Sequence, residues 1–141
     1  MISIHNIRDV SISDYDTVLA IVRKLKENPN NLQHVPDLSP SIELLNQFLT
    51  LKENGKWNKE TFNTIYVPSF LKEVSQNTNA WKWLNDIYRK DLAGEKICLV
   101  CHCKDEALCH RSIIAGILQG MGADVISESD YSQYYNMYKN Y

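Results

Sequence analysis

Apolar residues recur along this chain at two different spacings, and each spacing predicts a different secondary structure. The opening stretch "MISIHNI" alternates apolar and polar residues and carries β-branched side chains, which predicts a strand over residues 2–7. From Lys96 to Cys101 the chain is almost continuously apolar, as in strands that are buried on both faces. The stretch "ADVISE", residues 123–128, predicts one more short strand.

The other spacing, with apolar residues three and four positions apart, is typical of amphipathic helices. Residues 13–27, "SDYDTVLAIVRKLKE", follow it, and Ser13 precedes Asp16 by three positions as in a capping box. We therefore expect a helix over this segment. A second helix is predicted with Ser39 as its cap and Pro40 at its first position. Its apolar stripe consists of Ile42, Leu45, Phe48 and Leu49.

Residues 57–74, "WNKETFNTIYVPSFLKEV", follow the helical spacing less well because Pro68 interrupts it. A proline pushes the residue before it toward extended backbone, so we predict two short helices with a break at Val67. Residues 79–94 predict a further helix that ends at Gly94. Its predicted inward residues are Trp81, Leu84, Ile87, Tyr88 and Leu92.

Residues 110–122, "HRSIIAGILQGMG", return to helical spacing and close at Gly122. Strand, loop, helix and strand within residues 96–128 make a βαβ unit, whose strands should be parallel and its crossover right-handed. The tyrosines of "DYSQYYNMYKNY" predict a last helix that docks an aromatic face on the core. The chain is thus predicted to be one α/β domain over residues 1–141, with a small, mostly parallel sheet flanked by helices.

Composition narrows the range of partners. The chain has 141 residues, a net charge of −2 and no block of Lys or Arg, which argues against a nucleic-acid partner. Neither a membrane-spanning apolar run nor a secretion signal is present, so we expect a cytoplasmic protein with no membrane contact. All four cysteines lie within twelve residues, whereas a disulfide framework spreads them along the chain. We therefore expect reduced thiols. A homo-oligomer is kept as an alternative to a monomer.

The candidate chemistry is concentrated in the run "CHCKDEALCHRS", residues 101–112, between the predicted buried strand and the following helix. In open α/β sheets, ligands bind at such strand ends. The first-turn N–H groups of the helix lack intrahelical partners, and the guanidinium of Arg111 adds donors. Together with Ser112 and Lys104, these groups predict a site for a small anionic, nucleotide-like ligand.

A reactive thiol is the second interpretation. Cys109 stands at the predicted helix N-terminus beside His110, which should lower the pKa of its thiol, and Cys103 is the next candidate. Catalysis would then depend on Cys109, His110 and Cys103. The C-x₅-R spacing of the arginine loops in phosphatases and sulfurtransferases is absent, which counts against those mechanisms.

Two further interpretations concern the same cysteines. Cys101, Cys103, Cys109 and His110 are ligands of the types that zinc prefers, although their spacing is unusual for a structural zinc site. We therefore assign no metal and no cofactor, and keep a zinc-binding module as an alternative. Alternatively, buried cysteines commonly act as small apolar residues, which we expect for Cys98 and favour for Cys101.

The segment "GEKICLVCHCKDEALCHRSIIAGILQGMGADV" resembles the C-terminal signature of the family called domain of unknown function 488. In that family a hydrophobic strand ends in a cysteine, and an acidic loop, Cys-His-Arg and an apolar helix follow. The resemblance places Cys-His-Arg at residues 109–111, the strand-end cysteine at Cys101 or Cys103, and the early strand-end arginine at Arg8, with Asn6 beside it. It implies a compact α/β fold and no settled activity. This chain differs from many members in having Cys-His-Cys at the strand end.

Overall fold

A five-residue apolar strand, β4 (Ile97–Cys101), lies at the centre of the fold, and all of its residues are buried. The structure is a computed structural model that describes residues 1–28, 30 and 32–141. In it, β4 pairs in parallel with β1 (Ile2–Asn6) on one side and β2 (Thr17–Ala20) on the other. A strand covered on both faces is stable only with apolar residues at every position, which explains the continuous run.

Two short strands complete the sheet at its edges. β3 (Gln33–His34) pairs with β2 and β5 (Val125–Ile126) pairs with β1, each in parallel. The strand order is β3-β2-β4-β1-β5. The predicted fold class, a mixed α/β domain with a parallel sheet flanked by helices, is confirmed, and within the described residues every strand pair is parallel.

The helices are α1 (Ile42–Glu53), α2 (Lys59–Thr61), a π-helical turn (Phe62–Tyr66), α3 (Val67–Ser75), α4 (Thr78–Leu92), α5 (His110–Met121) and α6 (Gln133–Lys139). Short 3₁₀ turns lie at Ile12–Asp14, Pro36–Leu38 and Glu106–Leu108. Within the described part of the chain, no helix combines the length and the apolar character that crossing a membrane requires.

The predicted helix over residues 13–27 is wrong, because its central part is strand β2. Val18, Leu19 and Ala20 are buried in the sheet, so their apolar run reflects burial on both faces and only coincides with helical spacing. Asp16 does not cap a helix; its Oδ2 accepts a 2.8 Å hydrogen bond from the backbone N–H of Lys96. The carboxylate therefore fixes the start of β2 beside the start of β4.

Helix α1 begins two residues later than predicted. Ser41, not Ser39, is its N-cap, and the Ser41 Oγ accepts a 3.1 Å hydrogen bond from the N–H of Leu44. The predicted apolar stripe is only partly inward, since Ile42 and Leu49 are about half exposed while Leu44 is buried.

The inward face of α4 also differs in part from the prediction. Its buried residues are Ala80, Leu84 and Ile87. Trp81 and Leu92, predicted to be inward, are exposed.

The predicted break at Pro68 does not occur. Val67 has helical backbone angles (φ −58°, ψ −51°), and Pro68 directly follows a π-helical turn, an irregularity at which a helix can accommodate a proline. The π-helical turn just before it adds one residue to the turn and carries Phe62 and Tyr66 to the buried side. Residues 59–75 therefore form one continuous helical run.

The C-terminal helix α6 packs closely against α5, as the tyrosine pattern predicts. Tyr131 and Tyr134 are buried there, whereas Tyr141 is exposed. Two glycines on one face of α5 make the approach possible: a Cβ on Gly116 would overlap the carbonyl oxygen of Tyr131, and one on Gly120 would overlap the Tyr135 side chain. This close contact holds the C-terminal segment on the helix that begins at the candidate site.

We expect Gly116→Ala to lower the free energy of unfolding by about 1–3 kcal/mol, because the new methyl group meets a backbone carbonyl that cannot move alone. Urea denaturation measures this change. Asn136→Ala, at an exposed position of α6, is the control and should stay within about 0.5 kcal/mol of the wild type. Alanine favours helices over glycine by about 1 kcal/mol, so a stabilised Gly116→Ala protein would contradict the proposed contact.

Candidate functional site

Three cysteines converge where strand β4 meets helix α5. Cys101 is the last residue of β4, Cys103 follows two positions later, and Cys109 is the N-cap of α5. The chain bends at His102, just after β4 ends, and carries Cys103 toward the start of α5. Their three Sγ atoms lie within 4.8 Å of one another, and those of Cys101 and Cys109 are 3.0 Å apart. We call these three residues the sulfur cluster.

The guanidinium of Arg111 holds the sulfur cluster from the helix side. Its Nη1 lies 3.1 Å from the Sγ of Cys101 and donates a 2.6 Å hydrogen bond to the carbonyl oxygen of Cys103. That carbonyl also accepts a 3.2 Å bond from Nδ2 of Asn6, at the end of β1. Only 4% of Arg111 is exposed. Arg111 and Asn6 together therefore fix the chain as it leaves the sheet.

Within the sulfur cluster, Cys101 is the thiol most favoured to lose its proton. Hydrogen bonds from the thiols of Cys103 and Cys109, with the positive charge of Arg111, hold the pKa of Cys101 far below its usual range. Hydrogen bonding to Cys101 raises the pKa of Cys103 to about 12. Burial raises the pKa of Cys109 well above its usual value. The thiolate of Cys101 in turn raises the pKa of Arg111, although burial alone would lower it.

The expected lowered pKa of Cys109 is therefore wrong. Its position at a helix N-terminus favours a thiolate, but the side chain is buried and lies against the thiolate of Cys101, and both effects oppose a second negative charge. Cys101, which we favoured as a packing residue, is fully buried in the core, and its Sγ also contacts Cys109 and Arg111. Cys98, with burial raising its pKa to about 12, has the packing environment expected for it.

His110 is buried behind the sulfur cluster in its neutral form, because burial lowers its pKa. Its Nε2 lies 2.6 Å from the carbonyl oxygen of Ile21, which can only accept a hydrogen bond, so Nε2 carries the proton. Its Nδ1 therefore has a free lone pair, 3.6 Å from the Sγ of Cys109. The ring links α5 to the chain just after β2 and presents an acceptor to the thiol.

A cavity of about 590 Å³ opens beside the sulfur cluster, at the C-terminal edge of the sheet. Cys103, Cys109 and His110 form one wall. The rings of Phe48, Trp57 and Tyr66, together with Leu45 and Leu49, form the apolar part. Five cationic residues line it as well: Arg8, Arg23, Lys24, Lys52 and Lys104. Asp105 is the one acidic residue in the lining.

The predicted site residues thus fall into two groups. Cys103, Cys109, His110, Arg8 and Lys104 line the cavity. The other three, Arg111, Ser112 and Asn6, do not line it: Arg111 and Ser112 are buried, and each of the three makes a hydrogen bond to the backbone around the sulfur cluster.

Sequence reasoning missed the aromatic wall and the cations contributed by α1 and by the chain after β2. Phe48 and Lys52 lie one helical turn apart, so one side of α1 contributes both an aromatic and a cationic group to the cavity. Which face of α1 met the sheet edge depended on contacts that are distant in sequence.

The residues described above also lie within the part of the chain that matches a known protein family. A model of the DUF488-N3a family, described as the active DUF488-N3 subclade, matches residues 8–122. This span covers most of the chain and includes the whole sulfur cluster, so the resemblance stated from the Cys-His-Arg motif is confirmed. No curated protein and no solved structure matches the chain.

Replacing Arg111 by leucine should destabilise the protein by about 3 kcal/mol, because the substitution removes the partner of a buried thiolate and a donor to the Cys103 carbonyl. Breaking a buried ion pair costs about 3–5 kcal/mol. We expect the lower end of this range, because Cys101 can take up a proton and so avoid an unpaired buried charge. Chemical denaturation gives the number. Arg89→Leu, on the exposed face of α4, should change stability by no more than about 0.5 kcal/mol. Equal effects would show that Arg111 is not a structural cation.

Limiting iodoacetamide should modify Cys103 first in freshly reduced, chelator-treated protein. Cys103 is partly exposed and lines the cavity, whereas Cys98, Cys101 and Cys109 are buried. The reaction should be slower than in the urea-unfolded chain at the same pH, because the raised pKa leaves little thiolate on Cys103. Peptide mapping identifies the labelled residue. Labelling of Cys109 ahead of Cys103 would contradict the described burial.

Proposed function

Since the chain belongs to the DUF488-N3a family, we propose that it binds a small anionic, nucleotide-like ligand in the cavity beside the sulfur cluster. The single observation that carries this proposal is the composition of the cavity, which combines an aromatic wall with a cationic lining. A planar base and a phosphate group require these two surfaces close together. The volume, about 590 Å³, lies within the usual range for small-molecule sites.

The aromatic wall suits a planar ring. Phe48 and Trp57 meet edge to face with ring centroids 4.5 Å apart, and Trp57 meets Tyr66 at 5.4 Å in the same manner. These contacts hold Trp57 in place before any ligand arrives, and a preorganised side chain costs little entropy on binding. Stacking of one base on an aromatic side chain contributes about 1–3 kcal/mol.

The cationic lining suits a phosphate. Arg8, Lys24, Lys52 and Lys104 are exposed, and none of them forms a salt bridge to another residue within the described part of the chain. Arg23 is held by hydrogen bonds to the carbonyl oxygens of Pro36 and Pro40, which fixes its guanidinium at the cavity. The whole chain has a net charge of −2, so this local excess of positive charge directs an anion to the cavity.

A second candidate function, a cysteine-dependent enzyme acting on such a ligand, is favoured by the position of Cys103. Its partly exposed side chain lines the cavity, beside the buried thiolate of Cys101 and the lone pair on Nδ1 of His110. The description of the family as an active subclade is consistent with catalysis. Binding needs only the aromatic and cationic surfaces, whereas turnover would also need a sulfur or an imidazole that reaches the ligand.

The ligand class is tested by titrating the protein with nucleoside monophosphates, the matched nucleosides and inorganic phosphate while following the intrinsic tryptophan fluorescence, to which Trp57 in the cavity contributes. We expect the monophosphates to bind most tightly, because only they occupy both surfaces. The double variant Lys52→Ala/Arg8→Ala should weaken their binding roughly tenfold at low ionic strength, since exposed ion pairs contribute up to about 1 kcal/mol each.

Lys82→Ala, which removes an exposed lysine of α4 outside the cavity, is the matched control and should bind like the wild type. Cys103→Ser separates the two candidate functions: it should keep ligand affinity under both and abolish turnover only under the second. Affinities for phosphate alone that equal those for the monophosphates, or no binding by any of the three probe classes, would refute the proposed ligand.

A further inference from the structure

The sulfur cluster has a property that anion binding does not use. Three sulfur atoms from two different elements lie within 4.8 Å of one another, in a protein whose fourth cysteine, Cys98, lies elsewhere on β4. Thiols packed for their apolar character need no such convergence, because each can occupy its own hole in the core. We propose that Cys101, Cys103 and Cys109 bind a divalent, thiophilic metal ion of the zinc class.

The distances allow such a site with small movements. Zinc–sulfur bonds of about 2.3 Å in tetrahedral geometry place the sulfurs roughly 3.8 Å apart. In the structure one pair is 3.0 Å apart and all three lie within 4.8 Å, so each side chain needs to shift by less than about 1 Å to reach this spacing. The unusual spacing in sequence is no obstacle, since the fold brings the three Sγ atoms within 4.8 Å of one another.

The charges of the surroundings select the ion. Three thiolates carry three negative charges, and the buried guanidinium of Arg111 carries one positive charge beside Cys101. A divalent ion makes the assembly neutral, whereas a monovalent ion leaves a buried negative charge, which is costly. The N–H group of Arg111 that points at the Cys101 sulfur is also the kind of outer hydrogen bond that orients a metal-bound ligand.

The fourth coordination position would face the cavity, because Cys103 and Cys109 line it while Cys101 lies behind them. Zinc sites with three protein ligands and one open position are the type that contacts water or a substrate. The proposed ion therefore lies where a ligand in the cavity can reach it. This inference is independent of the proposed nucleotide-like ligand, since the cluster exists whether or not the cationic lining binds an anion.

The test titrates reduced, chelator-stripped protein with Zn(II) alone against a chromophoric competitor, and with Co(II) alone in an absorption spectrometer. We expect one ion per chain, a sulfur-to-cobalt charge-transfer band, and a higher melting temperature with Zn(II). Cys103→Ala should lose about 100-fold in Zn(II) affinity, as one ligand of a site of this strength implies. Cys98→Ala, which removes the cysteine outside the cluster, should retain the affinity within about threefold.

Cys103 is partly exposed, so its alanine variant keeps the test valid even where the buried Cys101→Ala and Cys109→Ala variants do not fold. Zn(II) binding that is unchanged in Cys103→Ala, or Co(II) binding without a sulfur charge-transfer band, would overturn the proposal. The variant Lys52→Ala/Arg8→Ala, which alters the cationic lining, should bind Zn(II) like the wild type and lose nucleotide affinity. Failure of the metal proposal can therefore be told apart from failure of the nucleotide proposal.

Discussion

The buried guanidinium of Arg111 is the constraint on which the candidate site depends. A guanidinium with 4% exposure requires polar partners, and the Sγ of Cys101, whose pKa is lowered, and the carbonyl oxygen of Cys103 supply them. This pairing joins the end of β4 to the first turn of α5. The segment from Cys101 to Arg111 therefore forms a closed loop, and this loop holds Cys103 and Cys109 beside each other. One wall of the cavity is formed in this way.

The central elements were predictable because local pattern and tertiary environment agree there. β4 reads as a buried strand and α5 reads as a helix with a glycine end at Gly122, whose φ of +103° favours glycine. β2 could not be recognised, since a strand buried on both faces loses the alternation that distinguishes it from a helix. Its identity depends on pairing with β4, which follows it by about eighty residues in the chain.

The location of the site was predictable for the same reason, but the roles of its residues were not. The end of a parallel strand followed by a helix N-terminus marks a site in any α/β sheet. Whether Cys101 or Cys109 is favoured as the thiolate depends on which sulfur accepts hydrogen bonds from the other two thiols and the guanidinium, and no spacing rule encodes that. The aromatic wall comes from α1, the loop after it and the π-helical turn, so its placement depends on the packing of segments that share no motif with the cysteine loop.

The edge strands of the sheet have a consequence for how copies of the chain can meet. β3 and β5 have only two residues each, so either border of the sheet offers few unpaired backbone groups to an incoming strand. Association by extending the sheet from one copy into the next would gain only a few hydrogen bonds. Short borders of this kind act as protection against intermolecular β-pairing and amyloid-like growth. Contacts between copies of this chain are therefore favoured on surfaces other than the sheet borders.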